Sequence, residues 1–143
     1  MKKIMFVCTG NTCRSPMAEY ILKNMLKESE ITDIKVSSAG LNANGEDKIN
    51  PKAQAALKKL GITVRRFKPK KIDSDLCRKQ DAVICMTENQ KKCFIGFKNV
   101  YCINELTALG EIADPYGSEQ SVYDECASKL VSCCKKIFEL LKK

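Results

Sequence analysis

Apolar residues alternate along the chain between short unbroken runs and helical stripes. Ile4, Met5, Phe6 and Val7 form one such run, the pattern of a strand buried on both faces in a parallel sheet. A helix is predicted from Ser15, with Pro16 at its first position, because Ala18, Ile21, Leu22, Met25 and Leu26 recur on one face. Residues 33–38 read as a second strand and 40–48 as a polar loop. Asn50-Pro51 opens another helix with the stripe Ala53, Ala56, Leu57 and Leu60, stopped by Gly61. Residues 81–86, around Ala82-Val83-Ile84-Cys85, predict a buried strand, and Thr87-Glu88-Asn89-Gln90 fits a capping box. Residues 100–103 predict the last strand. Val122, Cys126, Leu130, Cys133, Ile137 and Leu141 mark a C-terminal helix of about six turns.

Strands alternating with helices imply an α/β fold, a parallel sheet with helices on both faces. At 143 residues the chain suits one domain, 1–143, and is too short for two. Its first apolar run is shorter than the roughly 7–15 residues of a secretory signal core. No stretch approaches the roughly 18 apolar residues of a membrane span. A cytoplasmic protein is therefore expected, with no membrane partner. The nine cysteines are odd in number and irregular in spacing. Cys77, Cys85, Cys126, Cys133 and Cys134 sit inside apolar periodic segments, so reduced thiols are the expected state. With no Cys-x-x-Cys pair and no histidine, neither a metal site nor another cofactor is expected. The lack of histidine also removes Cys-His proteases and Ser-His-Asp hydrolases, whose general base is missing. The net charge of +8 is read as lysine spread over solvated helix faces, compatible with acidic or phosphorylated partners. Only four arginines are present, and no nucleic-acid partner is expected.

Ligands of parallel α/β sheets bind beyond the carboxyl ends of the strands. Cys8-Thr9-Gly10-Asn11-Thr12-Cys13-Arg14-Ser15 falls there, between the first strand and the first helix. A loop closing onto a helix N-terminus turns several backbone N–H groups inward as an anion cradle, and Gly10 is expected to permit its tight path. A thiol in such a place ionises readily, which makes Cys8 the candidate nucleophile toward phosphorus. Arg14 supplies a planar fork for two phosphate oxygens. Ser15 would donate to the thiolate, and Asn11 would hold the loop by bonds to backbone. The leaving atom needs a proton, and Asp114, on the turn Asp114-Pro115-Tyr116-Gly117, is the best candidate to supply it and then to activate water.

The run from Cys8 through Ser15, continued by Pro16-Met17-Ala18-Glu19, resembles the signature of the low-molecular-weight protein tyrosine phosphatases. Ser38-Ala39-Gly40, residues 81–86 and Asp114-Pro115 resemble that family's later landmarks, so the likeness covers nearly the whole chain. It implies four parallel strands, a phosphocysteine on Cys8, a phosphate clamp at Arg14, and general acid–base chemistry at Asp114. Phosphate contacts would come from Thr9, Gly10, Asn11, Thr12, Cys13 and Ser15. Asn11 with Ser38 would form a loop-supporting pair, and Thr12 and Tyr116 would bear on specificity. Partners would be phosphorylated proteins, with inorganic phosphate as product. Cys13 resembles the second loop cysteine, which traps the first in a reversible disulfide. Thr12 stands where tyrosine-directed members often carry an aliphatic residue, and resembles the branch acting on protein phosphoarginine. Leu41-Asn42-Ala43-Asn44-Gly45 also lacks a walling aromatic, so the reading leans toward phosphoarginine over phosphotyrosine. One rival is a thioredoxin-coupled arsenate reductase, with Cys85 and Cys93 as relay. Another is a non-catalytic phosphate-binding module.

Overall fold

The computed structural model describes residues 2–142, so the first and last residues of the expected domain 1–143 lie outside the described residues. Strands β1 (Lys2–Cys8), β2 (Ile34–Gly40), β3 (Ala82–Cys85) and β4 (Val100–Cys102) form one parallel sheet in the order β2-β1-β3-β4. Helices α1 (Arg14–Glu28), α2 (Pro51–Lys59), α3 (Ser74–Arg78), α4 (Glu88–Lys91), α5 (Ile103–Thr107) and α6 (Gln120–Leu141) complete the chain. β1 lies between β2 and β3, so the chain reverses its winding there and opens a crevice beyond the end of β1. This is the expected four-stranded α/β architecture.

The pleat of β1 explains the unbroken apolar run. Ile4, Phe6 and Cys8 face a core built with α1, α2, α5 and α6. Met5 and Val7 face a smaller core with Ala39, Val83 and Cys85, closed by Leu76 of α3 and by Phe94 and Phe97. Both faces are thus buried, each fully buried side chain contributing about 1.5–3 kcal/mol. Caps fix several helix starts. Asn50 accepts from the Lys52 amide at 2.8 Å, with Pro51 leading α2. Thr87 and Gln90 form the expected capping box of α4.

Four local expectations are corrected. α1 starts at Arg14, so Pro16 is its third residue; no bond is lost, because first-turn amides have no acceptor within a helix. Ile103 begins α5 instead of ending a strand, its first turn closed by Glu105 accepting from the Cys102 amide at 2.8 Å. Leu60 caps α2 and is 41% exposed. At its start α6 buries Tyr123 and Ala127, leaving Val122 exposed and Cys126 half-buried, and it meets the predicted stripe only from Leu130. The bulky Tyr123 ring turns that end of α6 toward the loop after β1. α3 was not predicted: its start is made by Asp73, which accepts from the Leu76 amide at 2.7 Å.

Candidate active site

The loop after β1 wraps the N-terminus of α1, whose cap residue Cys13 has no side-chain capping bond. Among the described residues, the backbone N–H groups of residues 10–15 find no acceptor elsewhere in the chain. Grouped donors at a helix start are an anion cradle in which charge is met without a metal. Cys8 ends β1 beside this cradle, buried, with Sγ 2.9 Å from Ser15 Oγ. A Ser15 hydroxyl donating to a thiolate sulfur disperses its charge and eases its departure from phosphorus.

Asn11 shapes the loop. It adopts φ 57, in the left-handed region that asparagine tolerates better than most residues. Its fully buried amide donates to Ser15 Oγ at 2.9 Å and to Ser38 Oγ at 3.0 Å, and accepts from the Lys70 amide at 3.0 Å. The Ser38 hydroxyl in turn donates a hydrogen bond to Glu19 Oε1 at 2.5 Å, and Glu19 also accepts from Lys23. A buried carboxylate this well paired is tolerated where an unpaired one is costly. Glu19 was quoted in the sequence signature without a role; its placement on the face that carries Ala18 and Leu22 was the available signal.

The expected role of Gly10 shifts to Gly40. Gly10 has no positive φ, and a Cβ there meets only Thr12 Oγ1, at 3.6 Å. At Gly40 a Cβ would stand 2.7 Å from the Thr9 carbonyl oxygen and 3.0 Å from the Asn11 amide. The register that pairs Cys8 with Gly40 forces this approach. Gln90 is a second residue that the sequence reading missed. It is buried, accepts from the Met86 and Thr87 amides at 3.0 and 3.1 Å, and donates to Thr9 Oγ1 at 3.2 Å. The capping box revealed Gln90, but not its reach into the loop.

Arg14 is buried and donates to the Ile112 carbonyl at 3.0 Å. Ile112 in turn donates to Met86 O at 3.0 Å, tying the 108–118 segment to the end of β3. Asp114 Oδ2 lies 3.7 Å from Arg14 Nη2, with the arginine side chain 6% and the aspartate 53% exposed. A pair that open to water adds little to stability; its consequence is to set a carboxyl at the solvent edge of the arginine. Asp114 Oδ1 accepts from the Tyr116 amide at 3.1 Å, and Tyr116 itself is 73% exposed. Cys13 is buried near Tyr123, Sγ to hydroxyl 3.7 Å, and burial pushes its thiol up. Thr12 is half-buried at the rim, its carbonyl accepting from the Asn50 amide at 2.9 Å.

Cys85 lies inside β3, in register with Val7 and on the opposite sheet face from Cys8. Burial pushes its thiol up to about 12. Cys93 is exposed beyond α4. A relay of disulfides from Cys8 through Cys85 would have to cross the sheet.

The profile of the family described as low molecular weight phosphotyrosine protein phosphatase matches residues 3–143. The low molecular weight protein-tyrosine-phosphatase Ptp of Acinetobacter johnsonii is 31% identical, covering 92% of each chain. The protein-arginine-phosphatase of Bacillus subtilis (strain 168) is 32% identical over 98% of this chain and 97% of its own. Among solved structures, YwlE arginine phosphatase, as a Cys-to-Ser mutant with a phosphorylated active-site serine, superposes with a TM-score of 0.92. It is 29% identical and covers 99% of this chain and 96% of its own. No helix among the described residues is long and apolar enough to cross a membrane.

Proposed function

The chain belongs to the low molecular weight phosphotyrosine protein phosphatases, and from that membership we propose that it removes phosphate from protein side chains through a phosphocysteine on Cys8. We assign the whole of 1–143 to this one domain. The observation that carries the assignment is the set of unpartnered amides of residues 10–15 beside a cysteine whose sulfur already meets a hydroxyl.

In this mechanism the phosphate dianion enters the cradle and Arg14 holds two of its oxygens. Cys8 Sγ attacks phosphorus, the bond from phosphorus to the side-chain nitrogen or oxygen breaks, and Asp114 gives its proton to the departing atom. The Asp114 carboxylate then takes a proton from water as that water attacks the phosphocysteine. The S–P bond breaks, Ser15 steadies the returning thiolate, and inorganic phosphate leaves. The phosphorylated serine in the YwlE mutant is a covalent phosphate on a residue of that protein's active site, and supports the same route here.

Within phosphorylated proteins, phosphoarginine is the preferred substrate in this reading. Thr12 gives the rim a hydroxyl in place of an aliphatic wall, and residues 41–45 carry no aromatic. Once Asp114 has given up its proton, its carboxylate can accept from the departing guanidinium through two bonds. The specific observation favouring phosphotyrosine is Tyr116, an exposed ring two residues from Asp114. The compartment is the cytoplasm, where nine free thiols persist unpaired.

The test compares kcat/KM on phosphoarginine and phosphotyrosine peptides of one sequence, with arsenate plus thioredoxin as a third assay. The expected order is phosphoarginine, then phosphotyrosine, with no arsenate turnover. Cys8→Ser should abolish turnover yet still bind phosphate or vanadate. Turnover surviving in Cys8→Ser refutes the covalent route; a wild-type protein that binds phosphate and hydrolyses neither peptide is a binding module instead.

A further inference from the structure

Positive charge is not spread evenly. Residues 65–71 read Arg65, Arg66, Phe67, Lys68, Pro69, Lys70, Lys71, five cations in seven positions, a cluster the reading of lysines spread over helix faces leaves out. The segment is a strap along the phosphate-binding loop. Its Lys70 amide donates to Asn11 Oδ1 at 3.0 Å, its Lys70 carbonyl accepts from the Gly40 amide at 2.8 Å, and Lys71 bridges to Gly40. Phe67 packs edge-on against Tyr20, ring centres 6.2 Å apart, which fixes its middle. All five cations are exposed, and among the described residues none of them takes part in an ion pair.

Beside the strap runs a groove of about 850 Å³. Thr12 and Tyr116 line it from the catalytic loops, Arg66 and Lys68 from the strap, and Glu46, Asp47 and Lys48 from the segment after β2. It is therefore continuous with the rim of the phosphate site, cationic along the strap and mixed in charge along residues 46–48.

We propose that this groove docks the polypeptide around the phosphorylated residue, with an aspartate or glutamate of that substrate on Arg66 and Lys68. The proposal rests on the phosphatase reading above and adds the substrate's flanking chemistry. A segment whose phosphate is held beside Cys8 leaves the site past Thr12, and successive residues at about 3.3 Å rise place its neighbours along the groove. Clustered cations attract acidic segments and speed their encounter. Residues 46–48 set two acids against one cation, so an acidic side chain gains less there than on Arg66 and Lys68, which gives the preference a direction.

The test measures kcat/KM on phosphopeptides whose flanks are acidic on one side, acidic on the other, or all alanine, with para-nitrophenyl phosphate as a substrate without flanks. For wild type, acid on one side should raise kcat/KM about tenfold through KM, and the gain should fade in about 1 M salt as screening shortens to ~3 Å. In R66E/K68E that gain should vanish, with para-nitrophenyl phosphate hydrolysis held. Equal rates for all flanks in wild type, or the same preference in the variant, overturns the proposal. So does a variant that loses only its binding to phosphatidylglycerol vesicles or DNA, since the strap then serves a different polyanion. The peptide series on wild type decides the matter even where the variant fails to fold. A wild-type protein inactive on every phosphate substrate overturns the phosphatase reading itself.

Discussion

Replacing Gly40 with alanine tests whether the phosphate loop is held by backbone packing. The new Cβ would stand 2.7 Å from Thr9 O, 3.0 Å from Asn11 N and 3.0 Å from Ala43 Cβ, against an ordinary contact of 3.4 Å or more. Gly40 cannot withdraw, because its amide is bound to Lys70 O at 2.8 Å and its carbonyl to the Ile72 amide at 3.0 Å. The Thr9 carbonyl must therefore retreat by about 0.7 Å, and overpacking of this kind costs about 1–3 kcal/mol. For a chain of this length that is a fall in melting temperature of roughly 3–10 °C. Activity suffers more, since a misplacement of about 1 Å costs on the order of a hundredfold, so kcat/KM should drop between about tenfold and a hundredfold. The assay is para-nitrophenyl phosphate hydrolysis beside thermal unfolding, with Gly10→Ala as the control. Gly10→Ala should melt within about 2 °C of wild type, its Cβ meeting only Thr12 Oγ1 at 3.6 Å. A Gly40→Ala enzyme within threefold of wild-type kcat/KM and unchanged in melting would show that the loop yields freely, and would refute the reasoning.

Asp114→Asn should slow hydrolysis of esters with poor leaving groups by about a hundredfold or more while sparing good ones; equal slowing of both removes Asp114 as proton donor. Thr12→Ile should shift the ratio of phosphoarginine to phosphotyrosine kcat/KM toward phosphotyrosine by about tenfold, roughly one misplaced polar contact. An unchanged ratio ends the case for Thr12 in specificity. Peroxide should oxidise Cys8 to a sulfenic acid that Cys13 converts to a disulfide with loss of water, so thiol should restore wild type but not Cys13→Ala after prolonged exposure. Because burial pushes the Cys13 thiol up, its thiolate is scarce at neutral pH, and disulfide closure should accelerate as pH rises above 7. A closure rate flat with pH, measured by mass spectrometry, contradicts that.

The proposed catalytic loop was legible because its chemistry is local in sequence. The residues proposed as nucleophile, cradle and clamp lie within Cys8-Thr9-Gly10-Asn11-Thr12-Cys13-Arg14-Ser15, and a strand before and a helix after suffice to bring them together. The central strands β1 and β3 were legible for a related reason: burial on both faces demands unbroken apolar runs such as the one from Ile4 to Val7. Where one side of an element is open, the pattern loosens, which is why the apolar stripes of α2 and α6 take in Leu60 and Val122, both exposed.

Sequence by itself determined the fold class, the loop and the residue types that can do chemistry there. Tertiary structure alone decided what supports the loop, because those contacts join residues far apart in the chain. Glu19 reaches Ser38, Gln90 reaches Thr9, Arg14 reaches the Ile112 carbonyl, and Lys70 binds Asn11 through its backbone. A backbone amide or carbonyl carries no side-chain signature, so its use as a partner leaves no trace in the order of residues. The same holds for Gly40, which must be glycine because parallel pairing sets it against Cys8 and the loop turns back over it. Periodicity encodes which way a side chain faces; only the packed sheet fixes what it meets.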